Sequence, residues 1–139
     1  MTAGLGLGRP QTQAIVGDED VVRVRQLVRT VAVAAKLSLV DQTKLVTAAS
    51  ELARNTLVYG GGGQVEVTTV DNGRRQGVRI VFTDSGPGIP DLELALTDGY
   101  TTGGGLGLGL SGARRLVDEF DIQTAVGQGT RITVTKWSR

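Results

Sequence analysis

Cysteine and histidine are both absent from the 139 residues. Without cysteine there is no disulfide, no thiolate metal centre and no cysteine nucleophile, a usage that fits a reducing compartment. Without histidine the chain cannot build a serine hydrolase triad of the usual kind, most zinc sites or a phospho-histidine acceptor of its own. An excess of charge is missing too: 15 basic residues face 14 acidic ones, for a net charge of +1. No broad field is therefore available to hold a nucleic acid or an anionic membrane, and partners must be read by shape and local chemistry. No stretch approaches the roughly 20 apolar residues that span a bilayer. Met1 to Pro10 also lacks the basic start and apolar core of an export signal. These absences predict a soluble, cytoplasmic protein with neither a nucleic-acid nor a membrane partner.

What is abundant is glycine, with 21 copies against 3 prolines, clustered at 4 to 8, 60 to 63, 86 to 88, 103 to 109 and 127 to 129. The length and the 40% hydrophobic content suit one domain with one core. The first cluster falls in a predicted disordered tail, residues 1–10, leaving residues 11–139 as the folded unit. The other clusters separate periodic segments.

Between Asp18 and Leu37, Val21, Val24, Leu27, Val28, Val31 and Ala35 recur at helical spacing behind an acidic start. Ser38 with Asp41 resembles a capping box, and Leu45, Ala48, Ala49, Leu52 and Thr56 carry a second helix to Val58, where the Tyr59 to Gly63 run stops it. Alternation then marks strands at Val65 to Thr69 and Val78 to Phe82, with Asp71-Asn72-Gly73 between them. Pro90 and Asp91 open a short helix over Leu92 to Leu96, and a third long helix is expected over Leu110 to Phe120. Strands at Ile122 to Val126 and Arg131 to Trp137 flank Gly127-Gln128-Gly129, and Thr12 to Val16 reads as an edge strand. The order predicts an α+β fold: a two-layer sandwich, mostly antiparallel, with helices on one face of the sheet.

Four segments can carry chemistry. Glu51 and Asn55 are four apart and share a helix face, so a carboxylate and an amide oxygen can line one polar pocket, or simply sit in solvent. Arg54 falls between them and is expected to point elsewhere. Asp84-Ser85-Gly86-Pro87-Gly88 ends a strand with an acid and two glycines that permit close backbone approach; an ionised aspartate suits an amino group, though the segment also reads as a turn. Gly103, Gly104, Gly105, Leu106, Gly107, Leu108 and Gly109 feed a helix start, where bare backbone amides can fold around phosphate oxygens or merely link two elements. Gly127-Gln128-Gly129-Thr130 is a tight hairpin with or without a further role.

Gly107 to Gly112 also matches the dinucleotide pattern G-x-G-x-x-G, but it follows a polar, glycine-rich stretch instead of a strand and lies in no βαβ unit. No P-loop motif occurs, and no H-R-D catalytic loop is possible without histidine.

Taken together and in order, the four segments resemble the GHKL ATPases: gyrases, Hsp90-type chaperones, histidine kinases and MutL. The resemblance covers nearly the whole chain and implies the Bergerat-type ATP-binding fold. Within that family the ELARN segment, the TTGGGLGLGL run and the RRLVDEF stretch look most like the RsbT-type switch serine/threonine kinases of bacterial stressosome and partner-switching systems, relatives of anti-sigma factor kinases. The resemblance implies ATP and Mg²⁺ as cofactors, with a STAS-domain antagonist as substrate. It also implies a downstream phosphatase or a sigma factor as a further partner. By the same carry-over Asp84 binds the adenine amine with help from Thr130, Gly86 and Gly88 admit the base, and Asn55 holds Mg²⁺. Gly103 to Gly109, with Leu106 and Leu108, close over the phosphates, and Glu51 acts as the catalytic base. The alternative is an anti-sigma factor that grips a sigma factor and phosphorylates its antagonist. A nucleotide-binding scaffold without turnover would have no need of Glu51.

Overall fold

The computed structural model describes residues 9–89, 91–97 and 109–139. Strand β1 (Gln11–Ile15) leads into helix α1 (Asp18–Ala34) and helix α2 (Leu39–Val58). Strands β2 (Gly63–Asp71) and β3 (Gln76–Asp84) follow, then the short helix α3 (Leu92–Ala95), helix α4 (Gly109–Arg115), and strands β4 (Glu119–Ala125) and β5 (Gly129–Trp137). The five strands form one sheet in the order β1-β2-β3-β5-β4, every neighbouring pair antiparallel. The expected architecture is therefore the observed one, with β1 at an edge as its composition suggests. The expected N-terminal tail falls mostly on residues 1–8, and most of the glycine run falls on residues 101–108; both lie outside the described residues.

The register explains the core. Val65, Phe82, Ile132 and Ile122 stand opposite one another across β2, β3, β5 and β4, and Val67, Ile80, Val134 and Phe120 form the next row. Six of these eight side chains are no more than 1% exposed. They pack against Val24, Val28 and Val31 of α1 and Leu45, Ala49 and Leu52 of α2, the stripes that the 3.6-residue spacing foresaw. Burying one such side chain is worth about 1.5 to 3 kcal/mol, so the two rows and the two helices together fix the layer order.

Helix starts are set by side chains. Asp20 Oδ2 accepts from the Val16 and Gly17 amides at 2.9 and 3.1 Å, so of the three acids at the head of α1 it is the third that caps. Ser38 Oγ accepts from the Asp41 amide at 3.1 Å as a capping box requires. The Asp41 carboxylate, however, turns to Lys136, with Oδ1 3.6 Å from its Nζ. Lys136 is 4% exposed and also faces Asp118 at 3.6 Å, while Arg139 reaches Asp118 at 2.8 Å. Burial alone would push the Asp118 carboxyl up, but the Trp137 amide and the charges of Lys136 and Arg139 outweigh it and hold the group below its ordinary value.

The expected long helix over Leu110 to Phe120 is corrected. Helix α4 ends at Arg115, and Phe120 belongs to β4, opposite Val134. Leu116, Val117 and Phe120 satisfy a helical period by spacing, but strand pairing with β5 and the capture of Asp118 by the Trp137 amide at 2.8 Å turn the chain sooner. Long-range pairing overrides local periodicity here.

Candidate functional site

The two apolar rows continue, one step further along the strands, into a different kind of row. Gly63 of β2 stands opposite Asp84 of β3, Asp84 opposite Thr130 of β5, and Thr130 opposite Thr124 of β4. Because strand residues alternate faces, this row shares the helix-covered face with Phe82 and Ile132. The sheet thus becomes polar on its inner face just where the C-terminal end of α2 arrives.

At that end the chain leaves α2 through Tyr59 and Gly60, whose amides both reach the Asn55 carbonyl, at 2.9 and 3.3 Å. Gly60 is thereby laid against the Asp84 carboxylate, and a Cβ placed on it would stand 2.6 Å from Oδ2. Gly86 in turn lies against Gly60, where its own Cβ would meet the Gly60 Cα at 2.7 Å. Only bare backbone fits both positions. Gly86 also donates its amide to Asp84 Oδ1 at 2.9 Å. Asp84 is 9% exposed, and among the described residues its Oδ2 has no hydrogen-bond partner while no fully buried side-chain polar atom lacks one. One carboxylate oxygen is therefore held by the Gly86 amide, and the other can accept a further hydrogen bond.

Thr130, 6% exposed, extends this acceptor edge, its Oγ1 2.9 Å from Thr124 Oγ1. Gly129 stands at a positive φ of 82° with its Cα against the Asp84 carbonyl, so the hairpin can approach β3 only without a side chain there. Gly88, also at positive φ, lies against the Ala125 carbonyl and brings the Gly86 to Ile89 loop onto the same hairpin. A cavity of about 350 Å³ opens at this end of the sheet, but Thr83, Arg131 and Gln123 in its lining form the adjacent row, which faces away from the helices, so it lies across the sheet from the inner face.

Glu51 and Asn55 lie on α2 as the spacing implied, both half-buried. The Asn55 side-chain amide makes no hydrogen bond among the described residues. Arg54 departs from expectation: instead of pointing away, its Nη1 comes to 3.9 Å from Glu51 Oε1, because residues three apart on a helix are neighbours. Gly109 opens α4 at a φ of 68°, and Gly103, Gly104, Gly105, Leu106, Gly107 and Leu108 fall outside the described residues. Gly60 and Thr124 were missed by sequence reasoning. The Tyr59 to Gly63 run, one turn beyond Asn55, signalled the first but reads most simply as a helix stop; nothing local signals the second.

The family profile described as histidine kinase-, DNA gyrase B- and HSP90-like ATPase matches residues 40–138. The chain belongs to this ATPase family. It is 45% identical to the serine/threonine-protein kinase RsbT of Bacillus subtilis, over 90% of this chain and 94% of that one. It is 31% identical to the anti-sigma F factor of Clostridium novyi, over 76% and 81% of the two chains. Among solved structures, the RsbU and RsbW domains of a Mycobacterium tuberculosis protein superpose with a TM-score of 0.66 at 23% identity, over 95% of this chain and 33% of that longer one. The mycobacterial sensor histidine kinase MprB gives 0.55 at 19%, over 96% and 99%. These two show the shared fold. Within the ATPase family the chain groups with the small serine/threonine-protein kinases and anti-sigma factors, and it is an ATP-using enzyme. No described helix is long and apolar enough to cross a membrane.

Proposed function

We propose that this enzyme transfers the γ-phosphoryl group of ATP to a serine or threonine hydroxyl of a STAS-domain antagonist in a bacterial partner-switching pathway. The observation that carries the reading is the Oδ2 of Asp84, without a hydrogen-bond partner among the described residues and held beside Gly60, Gly86 and Thr130 in a chain 45% identical to a serine/threonine-protein kinase. A carboxylate that can only accept hydrogen bonds selects an amino-bearing base, and Thr130 extends the same acceptor edge.

The donor set around Asn55 suits Mg²⁺: a lone neutral amide oxygen, without a hydrogen-bond partner among the described residues, is the kind of single ligand that a hard cation takes alongside phosphate oxygens and waters. When bound, that ion would bridge and neutralise phosphate charge. Glu51, one turn before Asn55 on the same face of α2, would accept the proton of the attacking hydroxyl. Because phosphoryl transfer rests mainly on positioning and charge, its contribution is that of a general base, about 10² to 10⁴-fold. Gly103 to Gly109 would enclose the phosphates through backbone amides and the start of α4.

A second reading, an anti-sigma factor that binds a sigma factor and phosphorylates its antagonist, is favoured by the 27 to 31% identity to anti-sigma F factors. The two readings share the pocket and differ in the partner. Incubating the chain with Mg-ATP and, separately, STAS-domain and sigma-factor candidates, followed by mass spectrometry and pull-down, separates them. The first reading expects phosphate on a serine or threonine of a STAS protein and no sigma complex. Phosphate on no partner sinks both.

A further inference from the structure

The hydroxyl of Thr124 is the junction of three segments. Its Oγ1 accepts from the Ile89 amide at 2.9 Å, lies 3.2 Å from the Gly129 carbonyl oxygen, and lies 2.9 Å from Thr130 Oγ1. The Gly127 amide adds a bond to the Pro87 carbonyl at 2.8 Å, so the loop after Asp84 is tied to the β4-β5 hairpin at two points. A threonine hydroxyl has one proton and two lone pairs. The Ile89 amide takes one lone pair, and the Gly129 carbonyl, which can only accept, offers the proton a destination at 3.2 Å. With the proton there, the remaining lone pair receives the Thr130 proton, and Thr130 keeps only lone pairs for a ligand.

We propose that Thr124 is a positioning residue for base selection: by taking the Thr130 proton, it makes Thr130 a pure acceptor beside Asp84 and so biases the site to a 6-amino purine over a 6-oxo purine. Thr124 itself need not touch the nucleotide. This rests on the reading of the Asp84 row as the base-binding edge. Two acceptors side by side welcome an exocyclic amine and repel a carbonyl oxygen at the same place. With Thr124 unable to accept, the Thr130 hydroxyl is free to rotate and donate, and half of the discrimination is lost while Asp84 keeps the rest. A site built on such buried polar pairing discriminates strongly, because the wrong base leaves its groups unpaired.

The test is Thr124→Val, which keeps the branched shape, beside Thr124→Ser, which keeps the hydroxyl, in the full chain. Calorimetry with ATP and with GTP, in the presence of Mg²⁺, gives the ratio of affinities, and thermal melting monitors the fold. Thr124→Val is expected to reduce the ATP-over-GTP ratio about 10-fold, mainly through weaker ATP and partly through stronger GTP binding, and Thr124→Ser to restore it. If the valine variant does not fold, Thr124→Ala gives the same readout. A ratio unchanged in a folded variant, with both affinities lowered together or not at all, overturns the inference and leaves the site assignment standing. A parent chain that binds neither nucleotide overturns both.

Discussion

Gly60 and Asp84 are in direct contact: the glycine backbone lies where any side chain would press on the carboxylate, within 2.6 Å of Oδ2. Gly60→Ala is therefore expected to move the carboxylate and weaken ATP binding at least as much as Asp84→Asn, about 1 to 3 kcal/mol. Calorimetry on the two variants checks this. An alanine variant that melts like the parent and binds ATP as tightly would show that the contact does not position Asp84.

That contact also marks the boundary of what could be read in advance. The helix stripes of Val24, Val28 and Val31 and of Leu45, Ala49 and Leu52, and the alternation of Val65, Val67, Ile80 and Phe82, announce the layers, because period and burial coincide in them. Asp84, Gly86 and Thr130 could be singled out by residue type. Their meeting with Gly60 and Thr124 could not, since it depends on β3 pairing with β5 across the intervening residues 85–128. The end of α4 was misjudged for the same reason: Phe120 fits a helix by spacing and a strand by partnership, and the partner, Val134, is 14 residues away.

Glu51→Ala is expected to leave nucleotide affinity near that of the parent while slowing phosphoryl transfer about 10² to 10⁴-fold. Arg54→Ala should change stability by no more than about 1 kcal/mol, because its 3.9 Å pairing with Glu51 is made by a side chain 54% exposed. Single-turnover rates with a phosphorylatable partner, beside binding isotherms, separate the two effects. Equal turnover by Glu51→Ala and parent would remove Glu51 from the chemistry.

At the opposite end of the sheet Lys136 is enclosed by Asp41 and Asp118. Lys136→Met removes the buried cation between the two carboxylates and leaves them the more exposed Arg139, 3.9 Å from Asp41 and 2.8 Å from Asp118, so the cost in urea unfolding should fall at the low end of about 3 to 5 kcal/mol. Nucleotide affinity of the folded fraction should stay unchanged, since the Asp84–Thr130 row proposed to bind the base lies at the other end of β5. A loss under about 1 kcal/mol would mean that the cluster is solvated in solution.

The depressed Asp118 carboxyl gives a pH dependence with a definite sign. A carboxyl whose folded-state value lies below its unfolded value, near about 3.9, contributes stability that is complete above the unfolded value. That contribution fades as pH falls through the folded value. Asp118→Asn should therefore lower Tm near neutrality, and the gap to the parent should close on acidification below about pH 4. A gap that stays constant into the acid range would contradict this.

The account's central claim is a base-binding edge made by Asp84 and Thr130 under the C-terminal end of α2. It is tested most directly by a crystal structure of the chain with a non-hydrolysable ATP analogue and Mg²⁺. The account predicts the adenine amine on Asp84 Oδ2, with Gly60 and Gly86 beside the ring. A nucleotide bound elsewhere, or turned so that Asp84 meets only solvent, would contradict it.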